Sequence, residues 1–237
     1  MDNEIIRIKF GLMNTNKIII AVDGYSSTGK SSISKAIANA LGLIHIDTGA
    51  MYRAITLFAL RNFRTTNGVI DLEKLLQHLD EISLDFREEE GALQIYLNNE
   101  NVSKEIRESI VSEHVSEVAK EPKVRVLAVE QQRKMVGKSG LIMDGRDIGT
   151  VVFPDADYKF FLTASVDERA RRRTLEMESM GMETNFDEVK QNLIERDRID
   201  SEREISPLKQ ADDAILIDNT ELNKEQTIAL ILSYIQK

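Results

Sequence analysis

Gly24-Tyr25-Ser26-Ser27-Thr28-Gly29-Lys30-Ser31 has the spacing G-x-x-x-x-G-K-[ST]. In such a loop the glycines let the backbone curl so that successive N–H groups point at phosphate oxygens. The lysine reaches the β- and γ-phosphates, and the serine hydroxyl can hold Mg²⁺. Gly24, Ser26, Ser27, Thr28, Gly29, Lys30, Ser31 and Ser32 are therefore the candidate nucleotide-binding residues, with Ser31 the candidate metal contact. Arg53, Arg125, Arg146, Arg169, Arg172, Arg173, Arg196 and Arg203 flank predicted strand ends or lie in one arginine-rich stretch. In a chain whose formal net charge is -9, such clusters point to phosphate clamps. Loop and clamps together imply a bound triphosphate and a second anionic group.

Several function classes drop out. A GTPase switch needs an N-K-x-D motif after a late strand, and Asn219-Thr220-Glu221 is the nearest and does not match. There is no cysteine, which excludes thiolate chemistry, disulfides and Cys-based zinc sites and suits a reducing compartment. His45, His78 and His114 have no metal-ligand spacing and are expected to be incidental. The acidic balance argues against nucleic-acid or anionic-membrane partners. No apolar run approaches the roughly 18 residues of a membrane span, and no signal peptide is visible, so a soluble, cytoplasmic monomer is expected.

These residues need a scaffold. Lys17 to Asp23 is a continuous β-branched apolar run and reads as a buried parallel strand. After the glycine loop, Ile33, Ala36, Ile37, Ala40 and Leu41 repeat at three and four, marking a helix face that Gly42 ends. Further short strands are predicted at Leu43 to Ile46, Gly140 to Met143, Tyr158 to Leu162 and Ala214 to Ile217, alternating with helical patterns. The fold class is thus α/β, with a parallel sheet of about five strands. Ile82 to Arg87 and Leu93 to Asn98, joined by the turn Glu88 to Gly91, predict an antiparallel insertion. Arg169 to Gly181 is rich in Arg and Glu, precedes a helical pattern at Asn185 to Arg198, and reads as a small lid. The resulting division is a leader 1–16, a core 17–63 with 121–168 and 186–237, an insert 64–120 and a lid 169–185. Met13, just ahead of the first strand, is a candidate natural start alongside Met1.

Three motifs are specific. Asp47-Thr48-Gly49-Ala50-Met51-Tyr52-Arg53, Asp144-Gly145-Arg146-Asp147-Ile148-Gly149 through Pro154, and Glu195-Arg196-Asp197 through Arg203 resemble the bacterial cytidylate kinases. Val102 to Arg107, Val115-Ser116 and Pro122 to Arg125 resemble that family's large monophosphate-binding insert. The resemblance runs from about Lys17 to the C-terminus and implies a three-layer P-loop core with an inserted monophosphate-binding subdomain and a helical lid. It implies transfer of the ATP γ-phosphoryl to CMP or dCMP. It also implies Arg53, Arg146 and Arg203 on the acceptor phosphate, Arg196 and Asp200 on the sugar, and Ser116, Arg125 and Asp147 on the base, with Thr48 and Tyr52 lining the pocket. Cytosine suits that pair, because its amino group faces a carboxylate and its unprotonated ring nitrogen faces a guanidinium; uracil reverses both.

Lys30, Mg²⁺ near Ser31, and Arg169, Arg172 and Arg173 on one helical face are expected to neutralise the transferring group as the lid closes. Removing Arg173 should then lower kcat more than it raises KM for CMP. Asp144 would hold Mg²⁺ through water, orient Arg146 or cap a helix. Two departures from the family pattern are Tyr25 to Thr28, where many relatives carry proline, and Ile199, where arginine is common. The alternatives are another acceptor, such as UMP or AMP, and a non-catalytic nucleotide-binding protein.

Overall fold

The computed structural model of the chain describes residues 18–89, 92–135 and 140–235. The leader 1–16, Lys17 of the expected first strand, and Glu90 and Gly91 of the expected turn lie outside them. The chain divides into two compact units, one of them Asp47–Met135.

The larger unit is built on β1 (Ile19–Gly24), the phosphate loop and α1 (Lys30–Leu41). Ile20, Ala21 and Val22 are wholly buried, as expected of a strand covered on both faces. Helix α1 turns Ile33, Ile37, Ala38 and Leu41 inward and ends at Gly42, whose φ of 68° and N–H bond to the Ala38 carbonyl close the helix. The remaining strands are β2 (Ile44–Asp47), β6 (Leu141–Asp144), β7 (Tyr158–Thr163) and β8 (Ile215–Asp218), numbered along the whole chain. The five-stranded sheet has the order β2-β6-β1-β7-β8. β1 runs parallel to both β6 and β7, and β7 parallel to β8. Central β1 thus carries the loop between two strands whose C-terminal ends lie beside it, the place where open α/β sheets bind ligands. The C-terminal helix Lys224–Ile235 buries Ile231, Leu232 and Ile235 in the same core as α1.

Two further helices, Val166–Ser179 and Phe186–Glu202, flank and include the segment 169–185 expected as the lid. The first begins ahead of Arg169, because the Ser165 hydroxyl accepts the Glu168 N–H at 3.2 Å and caps it. The second is capped by Asn185, whose side-chain oxygen accepts the N–H groups of Asp187 and Glu188.

In the unit Asp47–Met135, the long helix Thr48–Phe63 is the centrepiece. Its Met51, Ala54, Ile55 and Ala59 are fully buried against Ile95, Val111, Val118 and Val124. That packing groups this helix and the helix Pro122–Lys134 with the segment 64–120, so the unit is broader than the insert expected from sequence. β3 (Leu84–Glu89) and β4 (Ala92–Leu97) pair antiparallel, as anticipated. A third short strand, β5 (Glu100–Asn101), follows through Asn98 and Asn99, whose φ values of 49° and 69° make a two-residue hairpin turn.

Candidate active site

In the larger unit the loop conformation follows from steric necessity. At Gly24, φ is 143° and a Cβ would lie 2.0 Å from the Leu162 carbonyl oxygen, so β1 and β7 approach too closely there for any side chain. Ser27 and Gly29 both have positive φ, 61° and 84°, curling the chain as the motif requires. The Thr28 hydroxyl donates to the Tyr25 carbonyl at 3.0 Å, and the Lys30 ammonium donates to that same carbonyl. Burial, then the charge of Arg146, pushes Lys30 well below its ordinary pKa. A neighbouring anion would favour the charged form of this lysine.

The pairing of Val22 with Asp144 across β1 and β6 sets the Asp144 carboxylate beside the loop. One of its oxygens accepts the Ser31 hydroxyl at 2.6 Å, and the other lies 2.6 Å from His45 Nε2. Its side chain therefore meets the first turn of α1, bonding the Ser31 hydroxyl where the loop passes into the helix. His45, expected to be incidental, is part of this constellation.

Arg146 joins the loop to the helix Phe186–Glu202. Its Nε donates to Asp200 at 2.9 Å and its Nη2 to the Ser26 hydroxyl at 2.7 Å. Burial opposes ionisation of Asp200, but the guanidiniums of Arg146 and Arg203 outweigh it and hold the carboxyl below its usual range, and Arg196 adds to the effect. Arg203 also reaches Asp200, at 3.3 Å, and lies 4.0 Å from Asp147, which is buried. Arg146, Asp147, Arg196, Asp200 and Arg203 thus form one electrostatically coupled cluster next to the phosphate loop.

The three lid arginines do not share one environment. Arg169 is 2% exposed and ties three segments together, bonding the Ala164 and Ser26 carbonyls and the Asp197 carboxylate. Arg172 bonds Glu168, the Asn219 side-chain oxygen and the Asn219 carbonyl. Arg173 pairs with Glu176 and is partly exposed. Positions 169 and 172 lie about 60° apart around the helix and one turn apart along it, and their long side chains reach different partners.

In the unit Asp47–Met135, Arg53 donates to the Ser112 hydroxyl at 2.8 Å, and Ser116 is half-buried on the same helix, Ser109–Ala119. Arg125 is 1% exposed, donates to the Ala119 carbonyl and lies with its guanidinium 5.1 Å from the centre of the Tyr52 ring. Thr48 is buried at the start of its helix. A buried guanidinium stacked on an aromatic ring is a preorganised donor fork.

The family model described as cytidylate kinase matches residues 20–237. The chain belongs to the cytidylate kinase family. A protein named cytidylate kinase from Flavobacterium psychrophilum is 50% identical over 221 residues, covering 92% of this chain and 98% of that protein. Another of that name from Porphyromonas gingivalis is 46% identical over 226 residues, covering 94% and 98%. A crystal structure of an uncharacterized protein from Eubacterium ventriosum has a TM-score of 0.50 at 13% identity, covering 92% of this chain and 98% of that one, a likeness of fold alone.

Within this member of the family, sequence reasoning overlooked three contributors. Asp23 stands at the end of β1, where its two oxygens accept the N–H groups of Ile148 and Gly149 at 2.8 and 2.7 Å and pin the turn that follows Asp147. A carboxylate closing an otherwise apolar strand was the available signal. Asn219 was weighed only against a GTPase motif, and Glu168 was hidden in a charged run, though Ser165-x-x-Glu168 has the spacing of a capping box. Asn219 and Arg172, with Thr28, Gly29, Ser32 and Leu222, line a cavity of about 500 Å³.

A magnesium ion is expected for ATP chemistry, and the residues fit it. The Ser31 hydroxyl and the buried Asp144 carboxylate offer hard oxygen donors beside the loop, and Mg²⁺ is commonly held by one or two such groups plus phosphates and water. Among the described residues, no cluster of three or more His, Cys, Asp or Glu side chains forms a dedicated metal cage, and no helix is long and apolar enough to cross a membrane.

Proposed function

We infer that this chain transfers the γ-phosphoryl of ATP to CMP or dCMP, giving ADP and CDP or dCDP. The observation that carries the reading is the junction of the Gly24–Ser31 loop with the Arg146–Asp200–Arg203 cluster, in a chain matching the cytidylate kinase family over nearly its whole length.

The acceptor's attacking group is already an anionic phosphate oxygen, so no general base is needed; alignment, charge neutralisation and exclusion of water suffice. Lys30 and the loop N–H groups take the β- and γ-phosphates. Arg146 and Arg203, both paired with Asp200, take the acceptor phosphate, the group to which the family resemblance also assigns Arg53. Arg196 and Asp200 address the sugar. Asp147, Arg125 and Ser116 read the base, with Thr48 and Tyr52 lining its pocket. Ser31 and Asp144 would hold Mg²⁺, which when bound screens the phosphate charge. The insert 64–120 serves the acceptor, and the segment 169–185 closes over the reacting groups, with Arg173 the lid arginine least committed to structural bonds.

The test is an ADP-release assay with ATP, Mg²⁺ and each of CMP, dCMP, UMP and AMP, for the wild type and Asp147→Ala. Turnover confined mainly to CMP and dCMP and blunted in the variant is expected. Equal rates with all four acceptors, or none with any, would overturn the reading.

A further inference from the structure

Asn219 is 1% exposed and uses every hydrogen-bonding group it has. Its backbone N–H donates to the Thr163 carbonyl at 2.9 Å, and its carbonyl accepts from Arg172 Nη2 at 2.7 Å. Its side chain splits between two elements: Nδ2 donates to the Thr28 carbonyl at 2.9 Å, and Oδ1 accepts from Arg172 Nη1 at 3.0 Å.

The Thr28 contact has a stereochemical consequence. In a trans peptide the carbonyl and the following N–H point in opposite directions. Holding the Thr28 carbonyl on Asn219 therefore aims the Gly29 N–H away from Asn219. Gly29 has φ of 84°, and a peptide preceding a glycine can rotate to an alternative orientation at little steric cost, because glycine accepts either sign of φ. This peptide sits inside the phosphate loop, and the loop works only if its N–H groups converge. The Asn219 side chain holds this peptide from outside the loop, through the Thr28 carbonyl. The same side chain, with the Asn219 carbonyl, grips both Nη atoms of Arg172 and fixes the guanidinium on the wall of the cavity that continues from Thr28, Gly29 and Ser32.

We propose that Asn219 is a positioning residue for the donor nucleotide, locking the Thr28–Gly29 peptide in its phosphate-binding orientation and holding Arg172 on the donor side of the site. The proposal rests on the ATP-donor reading above. It requires one donor and one acceptor on a single side chain. Asn219→Ala removes the partner of the Thr28 carbonyl and of Arg172 Nη1, while Arg172 keeps its bonds to the backbone carbonyl at 219 and to Glu168. Asn219→Asp keeps the Arg172 bond but turns an acceptor toward the Thr28 carbonyl. Asn219→Ser retains a hydroxyl that can donate to one and accept from the other.

The experiment compares these three variants with wild type in steady-state kinetics, in calorimetric titration with ADP, and in thermal unfolding without nucleotide. The expected result is a rise of about 10-fold in KM for ATP and in Kd for ADP for Asn219→Ala and Asn219→Asp, with KM for CMP within about twofold and partial recovery in Asn219→Ser. KM for ATP and for CMP rising in step would assign Asn219 to general stability and overturn the proposal, as would wild-type ADP affinity in Asn219→Asp. A wild type that binds ADP but transfers nothing to CMP overturns the kinase reading instead, and the ADP affinities of the variants still decide the role of Asn219.

Discussion

Asp147 and Asp23 are both buried carboxylates near the phosphate loop, yet they call for opposite experiments. Asp147 is proposed to read the cytosine amino group, so Asp147→Ala should lower kcat/KM for CMP by about 10²-fold, the worth of a hydrogen bond to a charged group in a desolvated site, while UMP changes little. A parallel fall with both acceptors would remove it from base recognition. Asp23 instead bonds backbone, and its effect is on stability. Burial raises its carboxyl from 3.8 to about 7, against the opposing pull of the Gly149 and Ile148 N–H groups. The folded state thus holds the proton more tightly than the unfolded chain, so the contribution is full below about pH 4 and is lost as pH rises through about 7. Urea unfolding across that range should show the stability advantage of wild type over Asp23→Asn shrinking as pH rises; a constant or growing advantage would contradict the assignment.

The helix pair Val166–Ser179 and Phe186–Glu202 contains arginines of different standing. Arg169 is buried and bonded to two carbonyls and Asp197, so Arg169→Ala should destabilise the protein by about 3–5 kcal/mol, the cost of stranding a buried charge partner. Arg173 pairs only with a neighbouring exposed glutamate, so its removal should change stability by no more than about 0.5 kcal/mol. If the pair closes over the reacting groups, Arg173→Ala should still lower kcat more than it raises KM for CMP; a rise in KM alone would make it a binding residue. Chemical denaturation and steady-state kinetics on the two variants separate the brace from the catalytic group. The first helix also shows how boundaries are misread from composition: a charged run suggested a start at Arg169, whereas the Ser165 hydroxyl, one turn earlier, sets it.

Considered over its full length, the chain is an acidic α/β protein of formal net charge -9 that carries the buried cations Lys30, Arg125 and Arg169. Because nucleotide binds only the folded form, ATP at about 100 times its Kd should add about 2.7 kcal/mol to the stability, and Lys30→Ala should abolish most of that gain. A thermal-shift titration of both proteins measures it, and equal shifts would show that Lys30 does not hold the phosphates. Within the unit Asp47–Met135 the helix Thr48–Phe63 supplies the core, which is why that unit takes in more than the segment 64–120 expected as the insert.

What could be read from the residues alone was whatever local chemistry dictates. The G-x-x-x-x-G-K-S spacing demands a particular loop, continuous apolar runs demand a doubly covered sheet, and repeats of three and four demand helices. The parallel strands, the antiparallel pair and the loop were all legible for that reason. The short strand β5 was missed although Asn98-Asn99 is a hairpin signal, because two residues are too few to show alternation. Long-range partners were not legible. Nothing in the order of residues says that Ser31 meets Asp144, that Arg146 bridges Ser26 and Asp200, or that Asn219 reaches back to Thr28. Those choices belong to strand order and register, which bring segments from 54 to 191 residues apart together and there decide which buried donors find which acceptors.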